Sequence, residues 1–179
     1  MPFHTYRTYH PNYLRRKKKD NYIQLLVDKI LNQSIEDLRK VLEEQFANIC
    51  SEISHELNIS LQYKISSNFG QIYSGVYFWK GNWEYLSIGF EFEKNDFGEF
   101  FFGICKKDIT KDIPKDLKTK LSTMLTDYDG KSENWPYWKW FDPKNWHAET
   151  FNNIRTGVLK SNFKYYIVEL LKKLDGVNC

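Results

Sequence analysis

Residues 59–104 read ISLQYKISSNFGQIYSGVYFWKGNWEYLSIGFEFEKNDFGEFFFGI. Ile59, Leu61, Tyr63 and Ile65 alternate with Ser60, Gln62 and Lys64. Similar runs follow at Ile72 to Trp79, Trp83 to Phe92 and Glu99 to Ile104. Period-two alternation with β-branched and aromatic enrichment is the strand signature. The runs are separated by turn-forming residues: Ser67-Asn68-Phe69-Gly70, Lys80-Gly81-Asn82 and Asn95-Asp96-Phe97-Gly98. Gaps this short join only antiparallel neighbours, because a parallel crossover takes a dozen residues or more. The stretch therefore predicts a four-stranded antiparallel meander. In its third strand Leu86, Ile88, Phe90 and Phe92 share one face, and Tyr85, Ser87, Gly89, Glu91 and Glu93 share the other. In the fourth, Phe100, Phe102 and Ile104 oppose Phe101, Gly103 and Cys105. Both faces carry aromatics, so the sheet is expected to be covered on both sides over part of its area.

Helices are expected on both flanks. Ile23, Leu26, Val27, Ile30 and Leu31 form one apolar stripe within Asp20 to Leu31. Asn32-Gln33 then reads as a break, and Ser34 with Asp37 as an approximate capping box. A second helix follows to about Leu57, striped by Ile35, Leu38, Leu42, Phe46, Ile49, Ile53 and Leu57. A third runs from Pro114 to about Thr126, with Pro in its first turn. Two more close the chain: one from about His147 to a bend at Gly157, and one capped by Ser161 and stopped at Asp175-Gly176. The fold class is α+β: a four-stranded antiparallel β-meander flanked by N-terminal and C-terminal helices. Residues 20–179 are expected to form a single α+β domain behind a basic arm at residues 1–19.

Composition supports a globular chain: 41% of its 179 residues are hydrophobic and 17% aromatic. No run of 18 apolar residues is present, so no membrane partner is expected. The start, Met1-Pro2-Phe3-His4, lacks an apolar signal core. The three cysteines, Cys50, Cys105 and Cys179, are widely spaced without a CxxC pair, which suits reduced thiols. A cytoplasmic location is the expectation.

The net charge of +3 is unevenly distributed. Residues 1–19 hold six bases and no acid, and residues 20–58 hold three bases and eight acids. The densest run is Arg15-Arg16-Lys17-Lys18-Lys19. Interleaved with Tyr6, Tyr9, His10 and Tyr13, it suits a phosphate-binding arm with rings for base stacking. The preferred reading is a solvated basic lead-in to the first helix, because basic runs of this length are common. The nucleic-acid-binding candidates are thus Arg15, Arg16, Lys17, Lys18, Lys19, Tyr9 and Tyr13.

Residues 132–146, SENWPYWKWFDPKNW, place four of the six tryptophans within twelve residues. Pro136 and Pro143 argue there against regular structure. The four rings, Trp135, Trp138, Trp140 and Trp146, suit either an aromatic platform for bases or sugars, or a loop anchored by buried indoles. The second reading is preferred, because a long irregular loop needs such anchors to be ordered.

Catalytic patterns are sparse. There is no Gly-rich phosphate loop, no HExxH and no GxSxG. Glu91 and Glu93 share a strand face, and Asp127, Asp129 and Lys131 have an acid–x–acid–x–lysine spacing. In the first pair Lys94 points to the opposite face, and the second set falls in a turn, where carboxylates are ordinary. No catalytic residue, metal ligand or cofactor is assigned.

The order Phe90-Glu91-Phe92-Glu93, Phe101-Phe102-Gly103-Ile104, Asn134-Trp135-Pro136-Tyr137-Trp138-Lys139-Trp140-Phe141, Asn145-Trp146 and Phe151-Asn-Asn-Ile154-Arg-Thr-Gly157 resembles the C-terminal region of a bacterial family in the PD-(D/E)XK nuclease superfamily. The resemblance spans about residues 20–174. In that family the Mg²⁺-binding acids and the lysine lie in a core that precedes this region, and that core's motif is not found here. The resemblance implies a non-catalytic accessory module that binds nucleic acid or a nuclease partner. A phage-side inhibitor acting on a bacterial defence complex is the alternative. A minimal metal-dependent nuclease using Glu91 and Glu93, or Asp127 and Asp129, is the third.

Overall fold

The computed structural model describes the backbone of residues 11–177 and 179, and side chains from Gln33 onward. The chain divides into two units, Met1–Arg39 and Lys40–Cys179. The elements are α1 (Pro11–Leu57), β1 (Leu61–Ile65), β2 (Gly75–Lys80), β3 (Leu86–Lys94), β4 (Gly98–Lys106), α2 (Lys115–Met124), β5 (Tyr137–Trp140), α3 (Ala148–Arg155) and α4 (Val158–Lys173). Among the described residues the fold is α+β, with four helices and an antiparallel sheet in the order β1-β2-β3-β4-β5.

Three details depart from the sequence reading. The break at Asn32-Gln33 does not occur, and α1 is continuous through both residues. Neither residue lacks a backbone N–H, and each costs well under about 1 kcal/mol relative to alanine. A helix already propagating absorbs that. Ser34 lies inside it rather than capping it, and the Gln33 amide donates to Asp37 one turn on at 3.1 Å. Ser161 likewise lies inside α4, which begins at Val158 after Gly157 in the left-handed region at φ 79°. Finally, the tryptophan segment is not wholly irregular. Tyr137–Trp140 adds a fifth strand along β4, with Gly103 opposite Trp138 and Ile104 opposite Tyr137. Pro136 and Pro143 flank this strand rather than interrupt it, so neither removes a ladder hydrogen bond. Gly103 makes the pairing possible: a Cβ there would lie 2.1 Å from the Tyr137 carbonyl oxygen.

The β3–β4 turn places Asp96 and Phe97 at φ 58° and 59°, with the Gly98 amide donating to the Asn95 carbonyl.

Within the second unit, the core lies on one face of the sheet. Phe78, Leu86, Ile88, Phe90, Phe92, Phe100 and Ile104 are fully buried there. Phe46 of α1 meets Phe78 at 5.6 Å and Phe163 of α4 at 5.0 Å between ring centroids. Phe163 meets Phe90 at 4.9 Å. The α1 stripe Leu42, Phe46, Ile49 and Ile53 follows the expected three-and-four spacing and is wholly buried. Glu52 of α1 accepts from Lys160 and Lys164 of α4 at 2.6 and 2.9 Å, which ties the two helices together on the outer side. No helix among the described residues is long and apolar enough to cross a membrane.

Candidate functional site

The opposite face of the sheet holds a separate, smaller cluster. Phe101, Cys105 and Trp135 are buried in it, with Tyr77, Trp138 and Trp140 packed against them at partial exposure. The strand register explains its shape. Lys64, Tyr77, Gly89, Gly103 and Trp138 stand in one row across all five strands. Glu91, Phe101 and Trp140 form the next row. The two central glycines leave a trench between aromatic neighbours. Trp135, from the loop before β5, lies over it: a Cβ on Gly89 would come within 2.4 Å of its ring and 2.9 Å of Cys105 Sγ. Its amide donates to Ser132 Oγ at 3.1 Å, and its ring meets Phe101 at 4.6 Å.

Two clefts flank Trp135, and both are also lined by Glu91, Ile109 and Asn134. The first, of 540 Å³, includes Tyr77, Trp79 and the basic residues Lys64, Lys106 and Lys107. The second, of 720 Å³, includes Tyr73, Glu93, Lys131 and Trp138. Both volumes fall within the range of small-molecule sites, about 300–1,000 Å³. The first cleft is the more basic. Its Lys107 Nζ donates to the Trp83 carbonyl at 2.6 Å and sits 5.4 Å from the Trp79 ring centroid. Trp79 also donates its indole N–H to Gln62 at 2.8 Å, which fixes the ring.

Glu91 is the acid common to both clefts, and it is only 8% exposed. The Tyr77 hydroxyl donates to its Oε2. Burial holds the Glu91 carboxyl above its ordinary range, and the nearby Glu93 carboxylate adds to that, against the lowering effect of the Tyr77 hydrogen bond. The Tyr77 hydroxyl is raised chiefly by burial and next by the Glu91 charge. Cys105, wholly enclosed, has its thiol raised well above the usual value by burial, so it is an inert packing group.

The sequence candidates distribute differently. Tyr9 and the side chains of Tyr13, Arg15, Arg16, Lys17, Lys18 and Lys19 lie outside the described residues. Glu91 and Glu93 do share a face, but the first is buried and the second exposed. Asp127 is engaged by Lys139 and Lys173, each at 3.1 Å, and these hold its carboxyl below the usual range. Asp129 accepts from the Trp140 amide at 3.3 Å. Among the described residues no three His, Cys, Asp or Glu side chains are grouped so as to hold a metal ion. The four clustered tryptophans divide. Trp135 and Trp146 are buried, and Trp146 packs among Phe92, Phe97 and Phe100 on the core side. Trp138 and Trp140 are half-exposed on the open face, 5.0 Å apart.

Tyr77, Trp79 and Lys64 escaped the sequence search. Their signal was present in the alternation of β1 and β2, where they take the face opposite Val76 and Phe78. It points to a site only once the helices are known to cover the other face. Compared with known proteins, the chain matches no family model, no curated protein and no solved structure.

Proposed function

We propose that this protein is a non-catalytic binding module that takes single-stranded nucleic acid on the open face of its sheet. The observation that carries the reading is the groove across that face, bordered by Tyr77, Trp79, Trp135 and Trp138 and edged by Lys64 and Lys107. Every base has a π-face, so rings arranged along a basic groove bind single strands with little sequence preference. Sheets with exposed aromatics serve this purpose in several RNA-binding folds. A duplex hides its base faces and offers such rings nothing to stack on.

The basic run Arg15–Lys19 supplies additional phosphate attraction in this reading. The engagement of Asp127 and Asp129 by lysines and backbone favours a binding role over a cutting one. The resemblance to the accessory region of PD-(D/E)XK nucleases fits the same role: one part holds the strand while a separate subunit cuts it.

Fluorescence anisotropy with labelled single- and double-stranded oligonucleotides at two salt concentrations tests the proposal. Single strands should bind more tightly than duplex, and Trp79→Ala should weaken binding by about 1–3 kcal/mol, the usual worth of one stacked base. Replacing Arg15, Arg16, Lys17, Lys18 and Lys19 by Gln should lower the log–log salt slope by about 0.7 for each phosphate they neutralise on a single strand. Absence of binding at low salt would overturn the proposal and turn attention to a protein partner for the same face.

A further inference from the structure

The second cleft differs in charge from the first. It is lined by the rings of Tyr73, Phe101, Trp135 and Trp138 and by the carboxyl groups of Glu91 and Glu93. Phe101 and Trp135 are buried, with ring centroids 4.6 Å apart, and Trp138 stands 5.6 Å from Phe101. Trp138 is half-buried, and Tyr73 is 69% exposed. The Tyr73 backbone sits at φ 57°, and its amide donates to the Phe92 carbonyl at 2.7 Å. A tyrosine in the left-handed region persists only where its surroundings hold it, and here the ring so held lies largely in solvent. The one base in the lining, Lys131, has its Nζ 4.6 Å from the centroid of Tyr137, a ring outside the cleft. Among the described residues Glu93 makes no ion pair, and its charge is felt instead as repulsion at Glu91.

Ring faces carry the negative side of a quadrupole and attract cations, the more so where water is excluded. Carboxylates beside them add attraction of the same sign and repel phosphate. An unmodified ammonium is strongly hydrated and brings three N–H donors that rings cannot satisfy. A quaternary ammonium brings none, and its methyl groups spread the charge over an apolar surface that packs against rings. We propose that this second cleft is a binding site for a quaternary ammonium group, with the rings of Tyr73, Phe101 and Trp138 around it and Glu93 as its counter-charge. The inference goes beyond the nucleic-acid reading and does not depend on it: the basic cleft on one side of Trp135 suits an anion, and the acidic cleft on the other suits a cation. Two sources carry this chemistry, a free small molecule such as choline and a trimethylated lysine of a protein chain, and both present the same trimethylammonium head.

Isothermal titration calorimetry on the full chain tests this with choline, with its neutral isostere carrying a tert-butyl group in place of trimethylammonium, with ethanolamine, and with a short peptide containing trimethyllysine. Choline should bind more tightly than the isostere, which lacks the charge, and than ethanolamine, which lacks the methyl groups. Trp138→Ala should weaken choline binding by about two- to thirtyfold, the worth of one ring face to a cation. Glu93→Gln should weaken it by about fivefold, the worth of one charge at about 4 Å in water. Glu84→Gln removes an exposed carboxylate elsewhere on the surface and should leave it unchanged. Trp138 also packs against Gly130, so Tyr73→Ala, at a largely exposed ring, serves as the probe if the Trp138 variant does not fold. Binding of choline and of the peptide both support the site, and the tighter of the two tells a free cation from a protein-borne one. The inference is overturned if neither binds at millimolar concentration, if the neutral isostere binds as well as choline, or if Glu93→Gln and Tyr73→Ala leave the affinity unmoved.

Discussion

Phe90 and Trp79 sit on opposite faces of one sheet, and truncating each separates the face that holds the fold together from the face that is free. Phe90 is fully buried, and its ring lies within 6.3 Å of Phe78, Phe100, Phe102, Phe141 and Phe163 by centroid distance. Phe90→Ala removes the ring from the centre of this set, and neighbours from two strands and a helix cannot all close on the void. Such truncations cost about 3–5 kcal/mol. A domain's total stability is about 5–15 kcal/mol, so a large share is lost. At about 2–4 °C per kcal/mol for a chain of this size, the melting temperature should fall by about 6–20 °C. Trp79 is half-exposed and holds one side-chain hydrogen bond, to Gln62. Its truncation should cost about 1 kcal/mol, the centre of the range for point substitutions. Urea unfolding followed by far-UV circular dichroism measures both, with the midpoints compared at constant slope. If Trp79→Ala proves as costly as Phe90→Ala, the face carrying Tyr77, Trp79 and Trp138 is a covered core, and the binding groove does not exist.

Gly103→Ala should destabilise by about 1–3 kcal/mol or more, because its Cβ would meet the Tyr137 carbonyl at 2.1 Å and push β5 off the sheet; amide exchange confined to residues 137–140 would report the loss, and unchanged protection there would contradict the fifth strand. Glu91→Gln should raise the melting temperature at about pH 8. Above the raised folded pKa of Glu91 both folded and unfolded states carry the charge, and only the folded state keeps it buried. As the pH falls through that raised value the folded state takes up a proton, so the advantage of the variant should shrink and vanish below the ordinary value of 4.5; a variant less stable than wild type at pH 8 would show that the carboxylate's hydrogen bonding outweighs its burial. Incubation with Mg²⁺ or Mn²⁺ should leave DNA and RNA uncut, and metal-dependent cleavage abolished by Glu91→Gln would overturn the non-catalytic reading.

The sheet was legible because its signal is local. Alternation in 59–104 and the turn residues between runs fix antiparallel neighbours without reference to distant residues, and the Asn95–Gly98 turn fell where expected. The helix stripe Leu42, Phe46, Ile49 and Ile53 was legible for the same reason. Boundaries were less so. Asn32-Gln33 resembles a break in composition, yet only proline, or glycine at a suitable place, stops a helix that flanking turns sustain. The fifth strand failed on a related point. Two prolines in twelve residues looked prohibitive, but what matters is whether either falls inside the ladder, and the four-residue strand fits between them.

The groove was the hardest part to foresee, because it depends on contacts distant in sequence. Alternation assigns Glu91 to the face opposite Phe90 and Phe92, and it assigns Glu93 to the same face. It gives the two carboxylates equal standing as candidates. What distinguishes them is Trp135, forty-four positions beyond Glu91, folding back over Gly89 to wall the groove beside the first acid. That placement requires the small residues Gly89 and Gly103 at the centre of the row, and a loop anchored at Ser132 to deliver the indole. Each requirement is visible as a residue, yet none has meaning until β3, β4 and β5 are aligned. A glycine in a strand interior weakens the strand unless another group needs its space. On this sheet one such group is the Tyr137 carbonyl of the neighbouring strand and another is the Trp135 ring, and the same two glycines that admit the fifth strand and seat the indole also open the trench beside Glu91.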